Sequence, residues 1–65
     1  MKIGYKVVKK NKSTKPYIWE VVGESNVFKD SVILKCNEQP LLHHEEIKSL
    51  RYATKDEIIL GKRTY

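Results

Sequence analysis

The chain has 65 residues, of which 40% are hydrophobic, and its 13 lysine and arginine side chains outweigh 8 acidic ones to give a formal net charge of +5. A domain of this size buries only about 60% of the surface that its unfolded chain exposes, which leaves little room for a substrate cavity. These figures favour one small binding domain, residues 1–65, over an enzyme.

The expected cellular location follows from the apolar segments and the cysteine count. No apolar run reaches the roughly 18 to 20 residues that span a bilayer, and no apolar segment follows the charges of Met1–Lys6. The single cysteine, Cys36, cannot form the internal disulfide that commonly supports small secreted folds. We therefore expect a cytoplasmic protein with no membrane partner.

Three segments in the first half of the chain are typical of β-strands. Ile3–Lys9 and Tyr17–Val22 are rich in β-branched and aromatic residues, and the polar connection between them, residues 11–16, consists of turn formers and poor strand formers. Residues 23–26 are expected to end the second strand. Ser31–Cys36 predicts a third strand, with Cys36 as a small buried side chain.

The region from Leu41 to Tyr52 is less regular. A polar turn, residues 37–40, precedes it, and Ile47 and Leu50 have the helical spacing of three. This pattern predicts a short strand, one tight helical turn and a last short strand that ends at Tyr52.

A short helix over about residues 55–60 is predicted near the end of the chain. Thr54 and Glu57 have the spacing of a capping box, in which each side chain bonds the backbone N–H of the other residue. Gly61 supplies the left-handed residue that commonly follows a helix. The apolar side formed by residues 58–60 is expected to pack against the sheet.

The order of these elements resembles that of an SH3-like small β-barrel. Gly4–Lys9, followed after a gap of ten residues by Glu20–Gly23, is similar to the opening hairpin of KOW-type and related barrels, although Trp19 stands where those proteins carry a glycine. This resemblance implies a mainly β, five-stranded barrel with a short C-terminal α-helix.

The second half resembles the ending of short accessory proteins of tailed bacteriophages. The segment Leu50–Ile58, followed by Gly61-Lys62-Arg63, is similar to a Leu-Arg-x-Ala-Thr-x-x-Glu-Ile run that closes a barrel with a short helix in such proteins. The resemblance implies a phage-type accessory protein that acts in the cytoplasm of the host cell.

The positive charge is concentrated at the start of the chain. Residues 1–16 carry six lysines and no acid, whereas residues 17–65 have a net charge of −1. Such a patch attracts phosphate backbones, acidic protein surfaces or anionic lipid, and the alternative is a solvated loop that only keeps the protein soluble.

A nucleic-acid or polyanion site is predicted around this patch. Lysines would neutralise phosphates, and the aromatic pair Tyr17 and Trp19 would stack on bases if it is exposed, or belong to the core if it faces inward. The predicted site residues are Lys6, Lys9, Lys10, Lys12, Lys15, Tyr17, Trp19, Lys62 and Arg63.

No metal or cofactor site is predicted. His43 and His44 are adjacent, so on a strand their side chains point to opposite faces and cannot readily share one ion. They are interpreted as surface histidines in a polar segment. Cys36 lacks the paired base that nucleophilic catalysis needs.

The leading hypothesis is therefore a non-enzymatic module that binds DNA or RNA through its basic N-terminal loop. One alternative is a protein-interaction module that docks on an acidic surface of a host protein and modulates it, and another is a small component of a larger assembly. Short unpaired strand edges are compatible with a monomer or a weak homodimer.

Overall fold

The computed structural model describes residues 1–64, so Tyr65 lies outside the described part of the predicted domain. The elements are β1 (Lys6–Lys9), β2 (Trp19–Glu24), β3 (Ser31–Cys36), β4 (Gln39–Glu46), a 3-10 turn (Ile47–Ser49), β5 (Leu50–Tyr52) and α1 (Lys55–Leu60). All strand pairings are antiparallel, and the five strands form one sheet in the order β4-β3-β2-β1-β5. The prediction of a mainly β domain with a short C-terminal helix is confirmed. No helix within residues 1–64 is long and apolar enough to cross a membrane.

The sheet curls strongly. Its two edge strands, β4 and β5, are joined by only the three residues of the 3-10 turn. Lys9 on β1 also contacts His43 on β4, although β2 and β3 lie between these strands in the sheet. This curvature brings the root of the loop between β1 and β2 close to the edge strand β4.

The strand bounds differ from the predicted ones where the backbone departs from regular pairing. β1 begins only at Lys6, because residues 2–5 form a turn in which Gly4 has a φ of 95°. β2 continues through Gly23 to Glu24, and the register shifts at the intervening Val22, which forms a bulge. β3 and α1 have the predicted bounds.

β4 is longer than predicted and includes a proline. The pairs Cys36–Gln39 and Leu34–His43 leave one residue of β3 opposite residues 40–42 of β4. Pro40 is tolerated there because an edge strand has one unpaired side. The bulge leaves the side chains of Leu41 and Leu42 exposed.

The core lies inside the curl of the sheet. Trp19, at the start of β2, is only 3% exposed, which settles its orientation as inward. Cys36 is half-buried at the edge of this core. The buried cluster consists of Val7, Trp19, Val21, Val32, Leu34 and Leu50.

The capping box is confirmed, but the expected packing of α1 is wrong. Glu57 N–H donates to the Thr54 hydroxyl, the Glu57 carboxylate accepts from Thr54 N–H, and Gly61 is left-handed at φ 79°. The buried residue of the helix is Glu57, while the apolar residues 58–60 are exposed. Three consecutive helical residues span about 200° around the axis, so they cannot all face one sheet.

Candidate polyanion-binding site at the lysine loop

The lysine loop, residues 10–16, is held by an arginine from the other end of the chain. Arg63 donates from Nη1 to the carbonyl oxygens of Lys9 (2.8 Å) and Asn11 (3.0 Å) and to the Thr14 hydroxyl (3.0 Å). It donates from Nη2 to the carbonyl oxygens of Thr14 (2.9 Å) and Lys12 (3.4 Å). The planar guanidinium group therefore fixes the backbone of the loop from its inner side.

This placement differs from the predicted role of Arg63 as an extension of the basic surface. The side chain is buried, with 9% of the residue exposed, and its donors bond loop oxygens. Its backbone N–H also donates to the carbonyl oxygen of Pro16 (2.8 Å). Arg63 thus supports the loop, and its guanidinium does not lie on the outer surface with the lysines.

The segment that carries Arg63 is itself anchored by Glu57. The Glu57 carboxylate is fully buried, accepts two hydrogen bonds of 2.8 Å from Arg51, and accepts from the backbone N–H groups of Thr54 (2.8 Å) and Thr64 (2.9 Å). The hydrogen bond from Arg51 holds the pKa of Glu57 well below its usual value, against the opposing effect of burial. One carboxylate therefore joins β5, the start of α1 and the C-terminal segment.

The predicted lysines fall into two groups. Lys6 is exposed, but its Nζ is 3.0 Å from Glu20 Oε1, and this hydrogen bond lowers the pKa of Glu20. Lys9 is half-buried over the core. Four exposed lysines of the predicted site have no side-chain hydrogen bond or ion pair to another residue within residues 1–64: Lys10, Lys12, Lys15 and Lys62.

Trp19 lies under the loop as part of an aromatic cluster. The Lys9 ammonium group is 4.6 Å from the Trp19 ring centroid, a cation–π distance. The rings of His43 (4.6 Å between centroids) and half-buried Tyr17 (6.3 Å) pack on it as well. Nε1 of Trp19 is buried without a hydrogen-bond partner in the described residues. Base stacking on Trp19 is therefore not supported by this arrangement, and Tyr17 is the more accessible ring of the predicted pair.

The sequence does not reveal the roles of two residues in this region. Arg63 is among the predicted polyanion-binding residues, and no local pattern marks it as a support for a loop some 50 residues away. His43 was grouped with His44 as a surface histidine, yet its Nδ1 is 3.5 Å from Lys9 Nζ. Strand alternation was the available signal, since it places His43 and His44 on opposite faces.

His44 occupies a different environment on the outer face of β4. Its Nδ1 is 2.8 Å from the Ser25 hydroxyl, and its ring lies edge-on to that of Phe28 at 6.0 Å. A cavity of about 370 Å³ lies here, lined in part by Phe28, Ser31 and His44. Within residues 1–64, no three histidine, cysteine or acidic side chains come together as metal ligands would.

Comparisons with protein-family models, with curated proteins and with solved structures find no match for this chain. The site is therefore interpreted from its own geometry. That geometry combines a braced basic loop with a cation-covered aromatic cluster beneath it.

Proposed function

We propose that the chain is a non-enzymatic binding module, an SH3-like small barrel that engages nucleic acid through the lysine loop. Lys10, Lys12 and Lys15 contact the phosphate backbone, and Lys62 extends this surface. These contacts neutralise charge without reading the base sequence. The module acts in the cytoplasm as a phage-type accessory protein, in keeping with the resemblance of its C-terminal segment to such proteins.

One observation carries the proposal: the loop that bears the lysines is braced from within by Arg63. A loop that is ordered before binding loses less conformational entropy when the ligand arrives. A lysine loop that served only solubility would gain nothing from a buried guanidinium fixing three of its carbonyl oxygens and that of the preceding Lys9. The bracing therefore favours recognition of a charged partner over simple solvation.

The test is a salt titration of binding to labelled oligothymidylate, followed by fluorescence anisotropy. Each phosphate contact on a single strand steepens the slope of log affinity against log salt by about 0.7. We expect the variant with glutamine at Lys10, Lys12 and Lys15 to lose roughly 2 units of this slope. Wild-type binding that does not depend on salt would refute the proposal.

A matched control uses three exposed lysines outside the loop. Glutamine at Lys29, Lys35 and Lys55 removes the same net charge, so it changes the overall field of the protein by the same amount. We expect this control to change the slope far less than the loop variant. Equal losses in both variants would show that total charge, not the braced loop, determines binding.

A second candidate function is supported by the exposed apolar side chains. Val27 and Phe28 on the loop before β3, and Leu41 and Leu42 on the edge strand β4, are all more than half exposed. Exposed apolar side chains beside an unpaired strand edge are typical of a protein-interaction module. On this hypothesis the chain docks on a host protein, or in a larger assembly, and the lysine loop steers it toward an acidic surface.

The two candidates are separated by capture from a bacterial lysate with and without nuclease. Loss of the captured material after nuclease treatment supports nucleic-acid binding. A host protein that survives nuclease, and is lost when Phe28 and Leu42 are replaced by serine, supports the protein-interaction candidate. Size-exclusion chromatography of the purified chain separates a monomer from a weak homodimer.

A further inference from the structure

His43 lies at the root of the lysine loop, although 34 positions separate it from Lys9. Its Nδ1 is 3.5 Å from the Lys9 ammonium nitrogen, and its ring centroid is 4.6 Å from that of Trp19. Lys9 is itself 4.6 Å from the Trp19 ring centroid. Imidazole, ammonium group and indole thus form one contact cluster, whose His43 and Lys9 members are half-buried and therefore reachable by a ligand.

The chemistry of Lys9 determines which of the two nitrogens can donate in this contact. A lysine ammonium group can only donate hydrogen bonds, so Nδ1 of His43 accepts in this contact. A ring that accepts at Nδ1 carries its proton on Nε2 and is neutral. The Lys9 ammonium group therefore lies between the imidazole of His43 and the indole face of Trp19.

The charged neighbours of His43 can be given for each element around it. β1 contributes Lys9, β2 contributes Trp19, which does not titrate, and β3 places Leu34 directly opposite His43. On its own strand, the next residue on the same face is Glu45, which is half-buried. Lys9 is thus the cation in contact with His43, and Glu45 is the acid that follows it on this face.

We propose that His43 is a further binding residue of the lysine-loop site, and that it adds a positive charge to the site when it is protonated. The protonated ring would place this second charge beside the ammonium group of Lys9, because Nδ1 of His43 is 3.5 Å from Lys9 Nζ. A bound phosphate backbone attracts both cations, so that proton uptake and polyanion binding favour each other, and this coupling is reciprocal. The inference rests on the proposed function.

The consequence is a binding affinity that rises as the pH falls. Histidine is the side chain that changes its charge between about pH 5 and pH 8. We expect the affinity of the wild type for oligothymidylate to increase by about tenfold over this range, and the log–log salt slope to steepen by about 0.7 for one added phosphate contact. A polyanion site made of lysines alone would keep a constant slope over the same range.

The experiment measures oligothymidylate binding at about pH 8 and pH 5.5. His43→Gln and His43→Asn are expected to lose the increase, whereas the matched control His44→Gln is expected to keep it, because His44 contacts Ser25 and Phe28 on the outer face of β4. Two substitutions at His43 guard against a single variant that fails to fold. An increase that persists in folded His43→Gln would overturn the proposal.

A second readout uses the emission of Trp19, the single tryptophan of the chain. Because the His43 ring packs on Trp19, its protonation is expected to change this emission, and the midpoint should move to higher pH when oligothymidylate is bound. Equal midpoints with and without oligothymidylate would overturn the coupling. Salt-dependent binding without pH dependence refutes only the role of His43, whereas the absence of salt-dependent binding refutes the proposed function itself.

Discussion

Replacing Arg63 by lysine separates the charge of this residue from its geometry. Arg63→Lys keeps the net charge of the chain, but an ammonium group presents its donors at one point and cannot span the five oxygens that the guanidinium reaches. If Arg63 acted mainly as a surface cation, this substitution would be nearly silent. If it braces the loop, the substitution removes at least its two shortest bonds to the backbone.

The size of the effect follows from the five contacts of Arg63. The bonds to the carbonyl oxygens of Lys9 (2.8 Å) and Thr14 (2.9 Å) are the shortest to the backbone, and the others are 3.0 Å or longer. Hydrogen bonds that involve a charged group contribute about 1.5–3 kcal/mol each. If lysine or water replaces the longer bonds, Arg63→Lys lowers the free energy of unfolding by about 3 kcal/mol.

Urea unfolding followed by Trp19 emission measures this loss. Lys62→Gln is the matched control, because Lys62 is the exposed neighbour of Arg63 in the chain, and it should unfold at the urea concentration of the wild type. In thermal melts, a loss of this size lowers the midpoint by more than about 10 °C in so small a domain. Equal midpoints for Arg63→Lys and Lys62→Gln would refute the bracing role.

Three other tests, using five substitutions, address separate parts of the fold. Glu57→Gln should lower the free energy of unfolding by about 3 kcal/mol, because it leaves a guanidinium without its buried carboxylate. The folded-state pKa of Glu57 lies below its usual value of 4.5, so this stabilisation is present above that pH and is lost as the pH falls below it. Acid titration followed by circular dichroism should therefore show a smaller loss of stability with falling pH in the variant than in the wild type. Gly61→Ala should cost about 1 kcal/mol in thermal melts, because its φ is 79°, whereas Gly23→Ala, whose added Cβ would lie 3.7 Å from its nearest neighbour, should cost little. Ile59→Ser, at a residue that is 74% exposed, should leave the free energy of unfolding unchanged, whereas Leu34→Ala, in the buried core, should lower it by about 2–5 kcal/mol. Similar losses in the two variants would contradict the burial pattern.

The parts of the fold that sequence predicted well are those defined by neighbouring residues. The bounds of α1 follow from Thr54, Glu57 and Gly61, all within or beside one short helix. Ser31–Cys36 is a compact run of strand formers between turn residues, and its bounds are also as predicted. Such signals need no knowledge of distant contacts.

The parts that sequence did not predict depend on contacts between distant segments. The bulge at residues 40–42 appears only when β4 is paired with β3, so the pattern of β4 alone resembled a turn followed by a short strand. The bracing role of Arg63 depends on bonds that cross about 50 positions, and an arginine next to a lysine at a chain end is indistinguishable from surface charge. The burial of Glu57 likewise depends on Arg51 and Thr64, which its capping spacing does not reveal.

The bonds between Arg63 and the lysine loop also determine when the loop can become ordered during folding. They join positions 49 to 54 residues apart, and the pairing of β1 with β5 joins Val7 to Tyr52. Contacts of such long range form slowly, because closing a long stretch of chain is entropically costly before any bond repays it. On the ribosome, a nascent chain in which residues 50–63 are still in the exit tunnel therefore exposes both an unpaired β1 edge and an unordered basic loop. The β1 edge can pair once Tyr52 is available, whereas the loop is braced only once Arg63 is available.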